Sequence, residues 1–560
     1  MIVLSEIFAI FTAKNNAMAL PLRLTFAIVV MAALSASGQL SGVFQAEHEK
    51  NEGVLMVWDY HPERDSVVAN IAGAVQNSGK VWIIYYPGTA PMDTTEIRQY
   101  LLSHGVGYHN VLFVPGWTET LWIRDFGPFT GYGDFGDGLK RYMLDAGYSA
   151  YGRPMDDSIP SQLAGYWEMP AVDLPLELEG GNILLDGLKY GFASFRLLEQ
   201  NPEYSEQDLT AILEDYFHTN EFILLEELTQ TGGGIWSHVD MYMKIVDAET
   251  IMVSKYPDHI PDFDLIEAQV AFLTELNTYF GTPFEIIRVP APPNADGEFP
   301  DEQNDEMRTY TNSLTMNDVV VVPSYGLPYY DSVAKSVYEQ AMPGYTIEMV
   351  DSQSLTPLYG AIHCITKEVP QEHMLRIIHK KVTGMQPYSE NFNIYSLCQN
   401  ETEVDSLFLY YRHKGETDYI KTEMQQVCPQ NFGVIPGCQP QDTIEYYIEA
   451  KTAQSDVQAP LSAPGGYYRF WFHPATASPP IHQARFKVYP NPATTHFVIT
   501  FPQNGDAELL INRLDGTQIL KKTVENGDLV TLKQAFSKGV YLISLKREGS
   551  SPETRKLIIK

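Results

Sequence analysis

Cysteine is scarce in this chain: Cys364, Cys398, Cys428 and Cys438 are the only four in 560 residues. That is too few for a disulfide-built scaffold, so the fold must rest on apolar packing. Basic residues are also in short supply. The 38 Lys and Arg stand against 70 Asp and Glu, a net charge of -32. A nucleic-acid partner is thereby excluded, because no summed positive field exists to attract phosphates. The same balance suits cationic small molecules or arginine-bearing peptides. Long apolar runs are missing beyond the first forty residues, and no later segment reads as membrane-spanning. No His, Cys, Asp and Glu pattern has metal-ligand spacing, and the acid-rich stretch at 300–306 reads as a solvated loop before a calcium site. Neither a metal nor a cofactor is called for.

The first forty residues contain a targeting signal. Met18 to Arg23 supplies a short basic start, Leu24 to Leu34 an apolar run, and Ala36-Ser37-Gly38-Gln39 small residues for cleavage. The expected signal covers 1–38, with Met18 as the expected true start. An exported chain meets an oxidising compartment, where cysteines default to disulfides. A pair among Cys398, Cys428 and Cys438 is expected, which leaves Cys364 in "AIHCITK" as the odd thiol. A free thiol in a secreted protein is a candidate for reactivity, with a buried inert filler as the plain alternative.

With 44% apolar residues, the length suits two to four folded domains. From 45 to 375 short apolar strands alternate with helical stretches, an α/β texture. Strands are expected at 53–60, 80–86, 110–116, 241–247, 284–290 and 318–326, with a helix over 94–105 capped by Asp93. From 376 to 475 short alternating stretches separated by turns read as a small β-sandwich of immunoglobulin-like type. Residues 476–483 form a linker beginning "TASPP". The last part, 484–560, is strand-rich and basic, with twelve Lys and Arg against seven Asp and Glu.

A nucleophilic cysteine needs a base or field that yields thiolate, and groups that hold the substrate. Several stretches offer them: "LWIRDFGPF" with Asp125, "GGGIWSHVDMYMKI" with His238 and Asp240, "RTYTNSLTMN" with Asn312, and "GAIHCIT" with Cys364. His238 and Asp240 stand two apart, so on a strand they would share one face. Taken singly, each has a plain structural reading as a solvated pair or a turn residue.

Together, "WIRDFGP", "LEGGN", "HVD", "TN" and "GAIHCIT" in this order resemble the agmatine deiminase and bacterial peptidylarginine deiminase family of the pentein superfamily, over residues 50–375. The resemblance implies a fivefold pseudosymmetric α/β-propeller. It implies that Asp125 and Asp240 hold a guanidinium, that Cys364 attacks its carbon, and that His238 moves the protons. Asn312 would support the substrate or intermediate, and Glu179 of "LEGGN" would orient His238 from behind. Trp122 and Trp236 would wall the guanidinium channel. Arg153 matches one arginine of the pair that reads a C-terminal carboxylate in the exported enzymes, but Tyr151 stands at the other position. "VYPNPA" and the closing Gly539-Val540-Tyr541 with its basic end resemble the C-terminal sorting domain of type IX secretion cargo, with a generic third β-domain as the alternative. That resemblance implies the type IX secretion machinery as a partner and a secreted or surface location.

Export favours peptidyl-arginine as the substrate. The form of "LEGGN" favours agmatine, so secreted agmatine or free-arginine deimination is the alternative. A cysteine peptidase using Cys364 and His238 fits less well, because two carboxylates suit a planar cation better than an amide. A non-catalytic surface binding protein would show a damaged set, whereas every expected residue is present.

Overall fold

The computed structural model describes residues 41–560 apart from 89–92, 137, 149–151, 229–237, 302–305, 401–403, 428–429, 474–486 and short stretches of the last segment (490, 492, 494–496, 501–506, 514–517, 525–528, 533–536, 547–552 and 560). The expected signal, Tyr151, Trp236, Cys428, the linker and most of the acid-rich loop lie outside the described residues.

Apolar runs set the first sheet. After the short β1 (Gly42–Val43), β2 (Asn51–Val57) leads through α1 (Pro62–Val75) to β3 (Lys80–Tyr85), then through α2 (Thr94–Ser103) to β4 (Val111–Pro115). β2, β3 and β4 are parallel neighbours. Val54 to Val57 are at most 3% exposed, as expected for a parallel strand covered on both faces. Pro62 opens α1 where its missing N–H costs nothing. In α2 the Asp93 carboxylate accepts from the backbone of Thr95 (2.8 Å) and Glu96 (3.0 Å), while Glu96 reaches back to the Asp93 N–H (2.9 Å). This reciprocal cap starts the helix where the sequence predicts.

The rest of the α/β part repeats one plan. α3 (Ile123–Phe126) precedes β5 (Phe129–Asp134) and β6 (Leu139–Gly147), which are antiparallel. α4 (Pro154–Asp157) and α5 (Ile159–Tyr166) then lead to β7 (Ala171–Glu177), parallel to β6. The hairpin of β8 (Leu184–Leu185) and β9 (Tyr190–Ser194) continues through α6 (Arg196–Gln200) and α7 (Glu206–Tyr216) to a parallel β10 (Glu221–Leu225). β11 (Met243–Asp247), β12 (Thr250–Lys255), α8 (Phe263–Glu275) and β13 (Glu285–Pro290) follow the same order. So do β14 (Leu314–Met316), β15 (Val319–Ser324), α9 (Pro328–Ala341) and β16 (Thr346–Asp351). Finally β17 (Lys367–Pro370) returns to pair antiparallel with β2, giving the first sheet the hairpin partner it otherwise lacks. Among the described residues there are thus five small sheets, each an antiparallel pair extended by a parallel strand across a helical crossover.

After β17 the described elements are strands alone. One sheet joins Leu375–Ile378, Phe392–Asn400, Gln430–Ile435 and Gln425–Val427; another centres on Thr443–Lys451, flanked by Ser406–His413 and Tyr468–Phe472. By their contacts the residues form two compact units. The first runs to Trp471, apart from 385–388 and 439–441, and the second comprises those pieces with Phe472–Lys560. The last segment builds two further antiparallel sheets around a core that includes Ile499, Leu509, Ile543 and Leu557.

One expectation is corrected. Cys398 and Cys438 carry free thiols and are not joined to each other. The Cys438 sulfur instead lies 3.4 Å from the Ile435 carbonyl oxygen, and burial pushes the Cys398 thiol up to about 12.

Replacing Asp93 by Ala removes both acceptor contacts of the cap. It should lower the unfolding free energy by about 1 kcal/mol in urea titrations, with enzymatic activity unchanged because α2 carries none of the candidate site residues.

Candidate active site

Five turns, each just ahead of the first strand of an antiparallel pair, supply the candidate residues. Asp125 lies on α3 before β5. Glu179 caps a 3-10 turn, Gly180–Asn182, that contains Gly181 and precedes β8. His238 and Asp240 belong to the turn Val239–Met241 before β11, Asn312 stands before β14, and Cys364 lies in the turn His363–Ile365 before β17. His238 and Asp240 thus lie ahead of the strand, not on one of its faces. The His238 carbonyl accepts from the Met241 N–H (3.0 Å), curling this stretch before β11 begins.

The side chains meet over a residue that has none. The Gly181 N–H donates to Asp125 Oδ1 at 3.0 Å. A Cβ at this glycine would lie 2.9 Å from both Asp125 Oδ1 and His238 Nδ1, and 3.2 Å from Asp240 Oδ2. His238 Nδ1 is 3.8 Å from Asp125 Oδ1, and its Nε2 is 2.9 Å from Glu179 Oε2. Arg196 and Gln200 also donate to that Glu179 oxygen, each at 2.8 Å.

Asn312 joins the cysteine to the second aspartate. Its Oδ1 accepts the backbone N–H of His363 (3.0 Å) and of Cys364 (3.3 Å), which assigns the amide orientation. Its Nδ2 is then directed at Asp240 Oδ2 (3.0 Å) and Cys364 Sγ (3.3 Å). Trp122 flanks the thiol: a Cβ on Gly360 would meet the indole at 2.4 Å and the Cys364 Cβ at 3.2 Å. Arg153 caps α4 away from these contacts, its Nη1 3.5 Å from the Tyr148 hydroxyl.

Burial and charge set the protonation states. Burial, with Asp240 and Asp125 adding to it, pushes the Cys364 thiol well above its ordinary value. Burial opposes a charged His238, yet Glu179, Asp125 and Asp240 outweigh it and raise the imidazole to about 9. Asp125 is raised to about 6 by burial, with Glu179 and Asp240 adding and His238 opposing. Glu179 is held well below the usual carboxylate range, since His238 and Arg196 overcome its burial. At neutral pH the resting site thus combines a neutral thiol, an imidazolium and ionised carboxylates. Among the described residues Asp240 Oδ1 is buried without a donor, so an N–H-bearing cation between the two aspartates would satisfy it.

The family profile described as Porphyromonas-type peptidyl-arginine deiminase matches residues 43–370, more than half the chain. This chain belongs to that family. It is accordingly a guanidine deiminase, a hydrolase of C–N bonds. A second profile, a secretion-system C-terminal sorting domain, matches 487–560 and marks the chain as type IX secretion cargo, secreted or held at the cell surface. Among curated relatives, proteins named "Putative agmatine deiminase" from Marinomonas sp. (strain MWYL1) and from Legionella pneumophila are each 26% identical. They align with 62% and 61% of this chain and 99% and 98% of their own lengths. Among solved structures, an agmatine deiminase of Enterococcus faecalis is 19% identical at a TM-score of 0.51, covering 60% of this chain and 99% of its own. A structure from Porphyromonas gingivalis titled as a putative arginine deiminase is 21% identical at 0.51, covering 59% and 99%. At these identities the structural likeness establishes the fold alone.

The sequence reading overlooked several residues. His363 stands beside Cys364 in "AIHCITK", and that adjacency was the available signal. Glu47 and Lys244 carried none. Arg124 is turned away from its neighbour Asp125, with Nε 3.2 Å from the His363 carbonyl and Nη2 2.7 Å from Glu368. Lys367 is buried over the Phe129 ring at 3.5 Å, and burial beside Arg124 lowers its ammonium to about 7.

A Gly181→Ala substitution should remove at least about 100-fold of the activity, because the new methyl would displace Asp125, His238 or Asp240. Steady-state kinetics on protein with an unchanged circular dichroism spectrum checks this.

Proposed function

We propose that the chain is a secreted protein-arginine deiminase that converts peptidyl-arginine to peptidyl-citrulline and ammonia through a covalent cysteine intermediate. The observation that carries the chemistry is the pair of carboxylates beside one thiol, with Asp240 Oδ1 buried and donorless. A guanidinium is planar and delocalised, and paired charge-assisted hydrogen bonds from two carboxylates both hold and orient it. Asp125 and Asp240 take this role.

The bound cation offsets the two negative charges that raise the Cys364 thiol, so once substrate is in place the thiol releases its proton to solvent and thiolate forms. The thiolate attacks the guanidinium carbon and forms a C–S bond. His238, already protonated, gives its proton to the departing nitrogen, and the C–N bond breaks to release ammonia. The neutral imidazole then takes a proton from water, whose oxygen attacks the thiouronium carbon. The C–S bond breaks, the hydroxyl of the adduct gives its remaining proton to solvent, thiolate returns, and the neutral ureido product leaves. Glu179 holds the ring by Nε2 throughout, leaving the Nδ1 edge toward Asp125 and the substrate. Trp122 walls the thiol side, and Asn312 steadies thiol and carboxylate together. The five sheets serve as the five blades of a propeller, with the site at its centre. The 376–475 stretch serves as an immunoglobulin-like sandwich and 484–560 as the sorting domain.

Peptidyl-arginine is preferred because the sorting-domain match directs the enzyme out of the cell, where arginine is met in peptides and proteins. The placement of Glu179 against His238 favours the second reading, a secreted agmatine or free-arginine deiminase.

Ammonia release should be seen with internal- or C-terminal-arginine peptides and be abolished by Cys364→Ala. Turnover of agmatine or free arginine alone would select the second reading, and no turnover of any guanidine by folded, reduced protein would refute both. The pH profile of kcat/KM should rise as Asp125 ionises through about 6 and fall as His238 loses its proton through about 9. An enzyme with His238→Gln should lack the alkaline limb in whatever activity remains.

A further inference from the structure

Behind Asp240 runs a second, unbroken chain of charged contacts that the proposed chemistry does not use. Glu47 sits in the stretch "AEHEK" ahead of β2. Its Oε1 accepts from Lys244 Nζ (2.8 Å), on β11, and from the backbone N–H of Thr315 (2.5 Å), on β14. Its Oε2 is 2.7 Å from His363 Nε2, and the other ring nitrogen, Nδ1, is 2.7 Å from Asp240 Oδ2. Both ring nitrogens therefore face carboxylate oxygens, and the ring bridges Glu47 to Asp240. Charge-assisted bonds of this kind are the strong and short ones.

The outcome at Asp240 is asymmetric. Oδ2 receives His363 Nδ1 and Asn312 Nδ2, whereas Oδ1 is buried with no donor. The backbone of His363 is held independently, by the Asn312 side chain and the Asn312 carbonyl. The ring can thus be removed without loosening the turn that carries Cys364. Burial works against an ionised Glu47, but Lys244, His363 and Arg124 keep its carboxyl well below the usual range, so the far end of the chain stays anionic. Glu47, Lys244, His363 and Asp240 also border a cavity of about 40 Å³, room for a water beside these charges.

We infer that Glu47 and His363 are positioning residues for substrate recognition: together they saturate one oxygen of Asp240 and fix the carboxylate so that the other receives a guanidinium N–H. The inference rests on the reading that Asp240 grips the substrate cation. Neither residue touches substrate or the thiol, so the effect should appear in binding of the cation rather than in the reactivity of Cys364.

The test uses the full-length protein with His363→Asn and Glu47→Gln, whose folding is checked by thermal unfolding. Two readouts are compared. One is the KM and kcat for whichever guanidine the wild type turns over. The other is the rate at which neutral iodoacetamide alkylates Cys364, with and without agmatine or a blocked arginine amide as protectant. His363→Asn should raise KM and the protecting concentration by about 10- to 100-fold, the cost of losing a hydrogen bond to a charged group. The kcat and the unprotected alkylation rate should stay within about threefold. Glu47→Gln keeps an acceptor but removes the charge, and should raise both binding measures by about 3- to 10-fold; if His363→Asn does not fold, this variant decides. Unchanged KM and protection, or a loss confined to kcat or to alkylation, overturns the inference. A wild type that is alkylated and protected but never turns over a guanidine defeats the deiminase reading while leaving the positioning test intact. A wild type that neither ligand protects removes the grip by Asp240 and the inference with it.

Discussion

The site hangs on one buried amide. Asn312 holds the two N–H groups of the His363–Cys364 turn with its oxygen, and faces both the Cys364 sulfur and the Asp240 carboxylate with its nitrogen. With a fully buried side chain whose oxygen and nitrogen are both engaged, the amide has no alternative orientation. The Cys364 thiol and the Asp240 carboxylate are thereby held in register although they come from turns more than a hundred residues apart. Gly181 does the complementary work by leaving space: three functional side chains converge where its Cβ would be.

Each contribution arrives by the same route. A short turn, helical except at Asn312, precedes a strand of a sheet, and the sheet behind it is an antiparallel pair braced by a parallel strand and its crossover helix. Functional groups mounted at the ends of packed strands are held more closely than groups on free loops. The cost is electrostatic. Burying Asp125, Asp240, Glu179 and His238 together is tolerated because the imidazolium and Arg196 offset the carboxylates, with Glu47 paired to Lys244 beneath. The balance is incomplete on the thiol side, where negative charge raises Cys364. A buried thiol kept protonated by neighbouring negative charge gains reactivity only when that charge is offset.

Much of this was legible in the sequence, for identifiable reasons. The apolar runs of β2, β3 and β15 and the reciprocal cap at Asp93 depend on neighbours in the chain, and the strand and helix positions they indicate are those found. The motifs around Asp125, His238, Asp240 and Cys364 combine residue types with few other uses in that company. Less legible was the local geometry: on a strand His238 and Asp240, two apart, would share a face, but they lie at a buried 3-10 turn ahead of β11. Spacing alone did not distinguish these, because both conformations can bring the two side chains to one cleft.

By itself the sequence determined the chemical inventory, the cation-favouring charge and the local elements, since these depend on residue identity and on contacts a few positions apart. Only the tertiary structure decided which groups meet. The His363–Glu47 contact joins residues 316 positions apart, and no pattern in "AEHEK" announces it. It exists because β17 returns to pair with β2, bringing the two ends of the α/β part together. The height of the Cys364 thiol likewise follows from how many charges and how little water surround it, a property of the packed site and of no single stretch of chain.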